Sequence, residues 1–287
     1  MSIIPRRYPS REAFEQARFD IFRKTEVAAA RIFTTGRGIP TISIGYAIVV
    51  ARRGMWMERP HWIETLKSVG VDMSRVDLEA VHALLDQVSE HLNQGQVGQA
   101  QELIPPWKPD EDCTGCNTTG IPLLKEEQMK CLFDQVITAF EDTLASRIGP
   151  ELMTFYADSQ ELITLLSLTY NSMLLIGPGL RSALQNESRA RAWYEIRYNA
   201  NRSHSAAVAK RRFFEAQVLG LYNRPGDVTR EEATAVIGVF ESFRAKIEQY
   251  EANFGHLIHE ANREFELQGD HHIQTLEEVI ETARSYA

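Results

Sequence analysis

Acidic residues are missing from one stretch of a chain that is otherwise rich in them. The 287 residues carry 39 Asp and Glu against 31 Lys and Arg, yet no carboxylate lies between Glu26 and Glu58. Cysteine is scarce: Cys113 and Cys116 form "CTGC", and Cys131 lies downstream. A zinc site usually needs four ligands, and no second such pair or suitably spaced His pair follows. A disulfide or free thiols in a loop is therefore the reading, and the odd count leaves at least one thiol free. No window reaches the roughly 18 consecutive apolar residues of a membrane span, so no membrane insertion is expected. The opening "MSIIPRRYPSREAFEQARF" is too polar after its first few residues for a signal peptide, and the chain is expected to be made in the cytoplasm without one. A net charge of −8 argues against nucleic acid as a partner, because such binding needs a positive footprint, although "AKRR" at 209–212 is a local basic patch. No metal and no cofactor is implied. "HLIHE" at 256–260 puts His256 and His259 on one helix face without forming His-Glu-x-x-His, and His271-His272 reads as a solvated loop pair.

What is present is helical periodicity. Residues 10–30 read as a helix with Ser10 as N-cap and Phe14, Ala17, Ile21 and Ala28 at roughly helical spacing. "FTTGRGIPT" breaks it with Gly36, Gly38 and Pro40, and Thr41-Ile42-Ser43-Ile44 alternates as a strand does. A helix feeding a small antiparallel hairpin is the local expectation. Helices follow near 60–69 and 74–93, the latter behind Ser74, and a short "NQGQVGQAQEL" leads to the loop "PPWKPDEDCTGCNTTG". From 124 to about 148 runs a long amphipathic helix with an apolar stripe of Met129, Leu132, Phe133, Val136 and Phe140. The segment 159–173 is apolar most of the way round and belongs at the centre of a lobe. Further helices are expected from "GPGL" at 177–180, near 188–199 and 204–220, and over 230–266 and 273–286, with a capping box "TREE" opening at Thr229. Strand is expected only around 31–50. The class is mainly α (α+β), without internal repeats or low-complexity tracts.

The order of Glu at the end of a first helix, a Gly-containing hairpin and Thr-Ile-x-Ile-Gly resembles the phage-type lysozymes, the muramidases of glycoside hydrolase family 24. Their signature is Glu-Gly, a strand with Tyr-x-Asp, a Gly turn, then Thr-Ile-Gly-x-Gly-His. Glu26 falls on the catalytic acid, Gly38 on the hairpin glycine, and Thr41 on the active-site threonine at the same spacing of fifteen residues. Ser43 and Gly45 fall on the two glycines of the last motif, and Tyr46 replaces its histidine. Downstream, "LLKEEQMKCLFDQ" (123–135), "LLSLTYN" (165–171), "AWYEIRYNAN" (192–201) and "AKRRFFEAQVLGLY" (209–222) resemble later segments of the family. The last two are more similar to the lysozyme-like toxin domains of type VI secretion effectors. The resemblance covers roughly 20–50 and 120–222, and not 52–119 or 224–287.

The resemblance implies a two-lobed lysozyme-like fold: a small β-hairpin lobe, a long linking helix, a helical lobe, and a cleft between the lobes. Residues 1–223 would form the catalytic domain, with 52–119 inserted, and 224–287 a helical extension packed on it. It implies a muramidase that cleaves the β-1,4 bond between N-acetylmuramic acid and N-acetylglucosamine of peptidoglycan. As an antibacterial effector it would act in the periplasm of a target bacterium, with secretion-spike proteins and an immunity protein as partners. A phage endolysin, or a catalytically weak lysozyme-like module that binds cell-wall glycan or a secretion partner, is the alternative.

The chemistry fits these residue types. Glycosidic cleavage needs a carboxylic acid to protonate the leaving oxygen and a group on the other face to position water or stabilise the oxocarbenium-like state. Glu26 is the acid candidate, and Thr41 could orient a water by hydrogen bonding. The family's second carboxylate, nine residues after the Glu, falls at Thr35. Either Thr35 and Thr41 hold the water, or a carboxylate arrives from 52–119 or from Glu195, or the domain is a binder or weak enzyme. For substrate contact the candidates are Tyr46, Trp193, Glu195, Arg197 and Arg211. Trp193, Tyr194, Arg197 and Tyr198 either line a sugar cleft or pack a core, and Glu195 with Arg197 is expected to form an ion pair that holds the segment. Arg211 or Arg212 either meets substrate carboxylates or belongs to a solvated helix face.

Overall fold

Ser10 caps the first helix as its sequence suggests. Its Oγ accepts the Ala13 N–H at 3.2 Å, and α1 runs Arg11–Thr25. The computed structural model describes residues 3–106, 119–201, 205–269 and 272–287. They divide into two compact units, one of Phe19–Ala139 and one of Met1–Arg18 with Phe140–Ala287. The divisions fall inside α1 and inside α5 (Glu126–Ile148). Helices dominate, with small antiparallel sheets, so the class is mainly α.

In the sheet unit, β1 (Ala28–Thr34), β2 (Pro40–Ile44) and β3 (Tyr46–Ala47) form an antiparallel sheet in that order. Residues 28–30 therefore belong to a strand, not to the end of the first helix. Their alanines favour helix by propensity, and pairing with β2 overrides that weak preference. Ala28 faces Ile44 and Phe33 faces Thr41, with a bulge between Ala29 and Phe33. At the bulge the Ala30 carbonyl turns to accept the Leu124 N–H at 2.8 Å.

A second hairpin, β4 (Val49–Arg52) and β5 (Met55–Glu58), extends strand structure beyond the expected region. Its tight turn places Arg53 and Gly54 at φ 50° and 81°, the left-handed pair that matches strand twist. Then come α2 (Trp62–Ser68), α3 (Leu78–Asn93) and α4 (Val97–Leu103). The cap of α3 is Asp77, which accepts the Ala80 N–H at 3.1 Å, and not Ser74. Helix α4 lies in the segment that had read as a connector. The core of this unit is apolar, with Ile42, Ile48, Val49, Leu66, Leu85, Val88 and Leu132 fully buried. Phe133 of α5 packs on Phe19 and Phe22 at ring separations of 5.9 and 4.9 Å.

The helical unit holds α6 (Pro150–Phe155), α7 (Gln160–Asn171), α8 (Pro178–Gln185) and α9 (Arg189–Tyr194), which continues into a π-helical turn, Glu195–Asn199. It also holds α10 (Ala206–Leu219), α11 (Arg230–Phe254), α12 (Ile258–Glu264) and α13 (Leu276–Tyr286). Helix α7 is buried from Glu161 to Thr169, as its all-round apolar pattern requires. The capping box at Thr229 forms with Glu232, and α11 kinks at Phe243. Helices α11 to α13 pack on α9 and α10. Among the described residues no helix is long and apolar enough to cross a membrane.

Candidate functional site

Glu26 follows α1 directly. Its N–H closes the last helical turn on the Phe22 carbonyl at 2.8 Å, and β1 begins two residues later. A half-buried carboxylate is thus fixed at a helix-to-sheet junction.

Thr35 opens the loop between β1 and β2 and closes it on itself. Its Oγ accepts the N–H groups of Arg37 and Ile39, both at 3.3 Å, and its own N–H donates to the Ile39 carbonyl at 3.0 Å. Gln101 of α4 donates to its carbonyl at 3.0 Å. Where the resemblance calls for an aspartate, the chain has a turn-forming hydroxyl. Gly38 in the same loop is required twice over. It has φ +73°, and a Cβ there would lie 3.1 Å from Leu92 Cδ2 and 3.3 Å from Val97 Cγ1.

Thr41 sits in the central strand, 3% exposed, between Phe33 and Ala47. Its Oγ donates to the Ile39 carbonyl at 3.1 Å. Ser43 and Gly45 both take left-handed backbone, at φ 57° and 76°. A serine there is strained by about 1–2 kcal/mol. Its hydroxyl donates to the Met129 carbonyl of α5 at 2.9 Å, which offsets part of that. The Tyr46 ring lies in the core beside Ile42 and Ile48, and the Arg59 guanidinium covers it at 4.8 Å. At 4% exposure it offers a sugar no open face.

The remaining candidates belong to the helical unit, and burial changes their meaning. Trp193 is 4% exposed and packs edge-on against Tyr198 and Phe240, with Arg197 over its ring at 4.9 Å. That is the core-packing alternative, not a sugar platform. The expected Glu195–Arg197 pair does not form, because residues two apart point to different sides of a helix. Glu195 instead pairs with Arg191 at 2.6 Å, one turn back, and accepts from Asn199 at 2.8 Å. Arg197 is buried against Trp193, Tyr198 and Phe213, and donates to Glu251 and to the Gln274 carbonyl, both at 3.0 Å. Tyr198 also donates to Glu251, and burial holds its hydroxyl well above the ordinary tyrosine pKa.

Arg211 and Arg212 are not on a solvated face. Arg211 bonds Glu215 at 3.0 Å and the Ser167 carbonyl at 3.2 Å. Arg212 is fully buried, pairs with Glu215 and donates to Asn171 at 2.7 Å.

Two polar clusters went unread in the sequence. Glu161 is fully buried in α7, pairs with Arg189 at 2.5 Å and accepts the Arg6 N–H at 3.0 Å. A lone acid at the head of an otherwise apolar helix was its only signal. Glu58 of β5 accepts from Trp62 Nε1 and lies 2.7 Å from His82 Nδ1, which ties β5, α2 and α3 together.

Among the described residues no three His, Cys, Asp or Glu side chains are grouped to hold a metal ion. Cys113, Cys116 and His271 lie outside those residues. Cys131 is an exposed free thiol, and His272 bonds the Gly269 carbonyl at 2.7 Å. No family model, no curated protein and no solved structure matches the chain.

Proposed function

We propose that the chain is a peptidoglycan hydrolase of the muramidase class, with Glu26 as its general acid. The observation that carries this reading is local. A half-buried carboxylate on the residue after α1 leads into a three-stranded sheet whose second strand turns left-handed at Ser43 and Gly45. Those are the positions of the two glycines in the muramidase motif, so the backbone requirement supports the resemblance where the residue identity departs from it.

In this role Glu26 gives its proton to the glycosidic oxygen as the bond from C1 of N-acetylmuramic acid breaks. Peptidoglycan is the substrate, and no cofactor enters the step. By the same resemblance the chain serves as an antibacterial effector domain, acting in the periplasm of a target cell and matched to an immunity protein. A second reading, a lysozyme-like module that binds cell-wall glycan or a secretion partner without cleaving it, draws support from the engagement of Thr35 in its own turn.

Loss of turbidity in a suspension of purified peptidoglycan separates the two. Clearing that disappears in Glu26→Gln supports the enzyme, and unchanged clearing in that variant sinks the assignment of the acid. Absence of clearing with the unmodified chain favours the binding module.

A further inference from the structure

The stretch without acids is not without charge. Residues 27–57 hold four arginines and no Asp, Glu, Lys or His, in a chain whose net charge is −8. Two of them, Arg52 and Arg53, stand exposed at the tip of the β4–β5 hairpin. A Cβ added at Gly54 beside them would meet nothing within 4 Å, so the tip stands in open space.

Pleating sorts the hairpin into two faces. Val49, Ala51, Trp56 and Glu58 alternate onto one of them. There Val49 and Trp56 pack on the apolar core of the sheet unit, and Glu58, the hairpin's one carboxylate, is engaged by Trp62 and His82. The other face carries Val50, Arg52, Met55 and Met57. Met55 is 60% exposed and Met57 is 42% exposed. The outward face of a half-buried antiparallel hairpin is ordinarily polar. This one is apolar and cationic, with no acid and no uncharged polar side chain. The strand behind it is tied to α3. Asn93 accepts the Trp56 N–H at 2.7 Å and donates to the Trp56 carbonyl at 3.0 Å, which closes that edge of β5 to another strand.

We infer that this face docks on an anionic lipid surface, with Met55 and Met57 entering between the headgroups and Arg52 and Arg53 on the lipid phosphates. Charge selects the occupant. The acidic chain as a whole is repelled by such a surface, so a local cationic face must make the contact, and guanidinium groups pair well with phosphate. The methionines are unbranched and flexible, which suits a fluid apolar phase better than a shaped pocket. An acidic protein segment is the competing occupant, but the β5 edge on which it would add as a strand is taken by Asn93. The contact is peripheral and needs no spanning helix. It is independent of the chemistry at Glu26.

Flotation of the full chain with vesicles of phosphatidylglycerol and phosphatidylcholine, against vesicles of phosphatidylcholine alone, tests this at low and high salt. The chain should float with the anionic vesicles only, and salt should weaken the binding. Arg52→Gln with Arg53→Gln should weaken it about thirtyfold at low salt, about fivefold for each charge. Met55→Ser with Met57→Ser should weaken it about tenfold. Both variants alter exposed side chains, so their thermal midpoints should match that of the unmodified chain. No flotation, equal flotation with neutral vesicles, or a methionine variant that floats like the unmodified chain would overturn the assignment. Retention on immobilised poly-glutamate without binding to anionic vesicles would overturn it too, and would give the face to an acidic protein partner.

Discussion

Buried polar side chains are handled differently in the two units. In the helical unit they are charged and paired with one another: Glu161 with Arg189, Arg197 with Glu251, Arg212 with Glu215. In the sheet unit the core from Ile32 to Leu132 is apolar, and Thr34, Thr41 and Ser43 are uncharged and bonded to backbone. Among the described residues of this unit, the buried cation is Arg31, which bonds the Ile32 carbonyl. A buried ion pair adds little over a well-packed apolar pair, but removing one partner leaves an uncompensated charge. The helical unit therefore depends on which charges meet. The sheet unit depends on register, left-handed backbone and hydroxyl bonds. Glu26 is a half-buried carboxylate of the sheet unit, placed where α1 ends and β1 begins.

The comparison breaks first at the charge pairs. Arg212→Ala should destabilise by about 2–5 kcal/mol, because buried Glu215 loses one of its two arginines and Asn171 loses its donor. Urea unfolding measures it. A single-variant cost below about 1 kcal/mol, the range of exposed pairs, would mean the pairing is not what holds this unit.

Smaller effects belong to the sheet unit. Gly38→Ala should cost about 2 kcal/mol, from left-handed strain together with the close approach to Leu92 and Val97. Ser43 separates strain from bonding. Ser43→Ala should lose about 1 kcal/mol with the bond to Met129, whereas Ser43→Gly gives up the same bond and relieves strain, so it should come out near neutral. Equal losses in the two variants would show that φ 57° carries no strain at this position.

The smallest effect is electrostatic and returns to the helical unit. The Thr275 backbone N–H, the capping contact of α13, holds the Glu278 carboxyl below its ordinary value. A depressed folded pKa gives stability that is present above the ordinary carboxylate pKa and lost as pH falls through the lower folded value. The group is mostly exposed, so the contribution is small. Amide exchange of α13 should speed up as pH falls below the ordinary carboxylate range, after correction for intrinsic rates. Glu278→Gln should flatten that dependence, and an unchanged dependence in that variant would assign it to another group.

Legibility followed the reach of each interaction. Ser10 and Thr229 were readable as caps because the bonded groups lie within three residues. The α5 stripe and the all-round burial of α7 follow from periodicity. Strand β1 was half hidden, since its alanines read as helix until β2 supplies the partner. The β4–β5 hairpin was missed because Arg53-Gly54 is not the usual Asn-Gly turn signal. The acid candidate was visible in the order Glu26, Gly38, Thr41, and its surroundings were not. Trp193, Arg197 and Arg212 looked equally suited to a surface until distant residues buried them: Phe240, Glu251 and Asn171. Sequence spacing says which side chains share a face, and not which distant element covers that face.

Release of soluble fragments from purified sacculi, compared for the unmodified chain, Glu26→Gln and Glu58→Gln alongside their thermal midpoints, asks most directly whether Glu26 is the acid. Glu26→Gln should lose about 10²–10⁴-fold in rate at an unchanged midpoint. Glu58→Gln should keep the rate while its midpoint drops, because Glu58 ties Trp62 to His82. Release by Glu26→Gln at the unmodified rate would contradict the assignment.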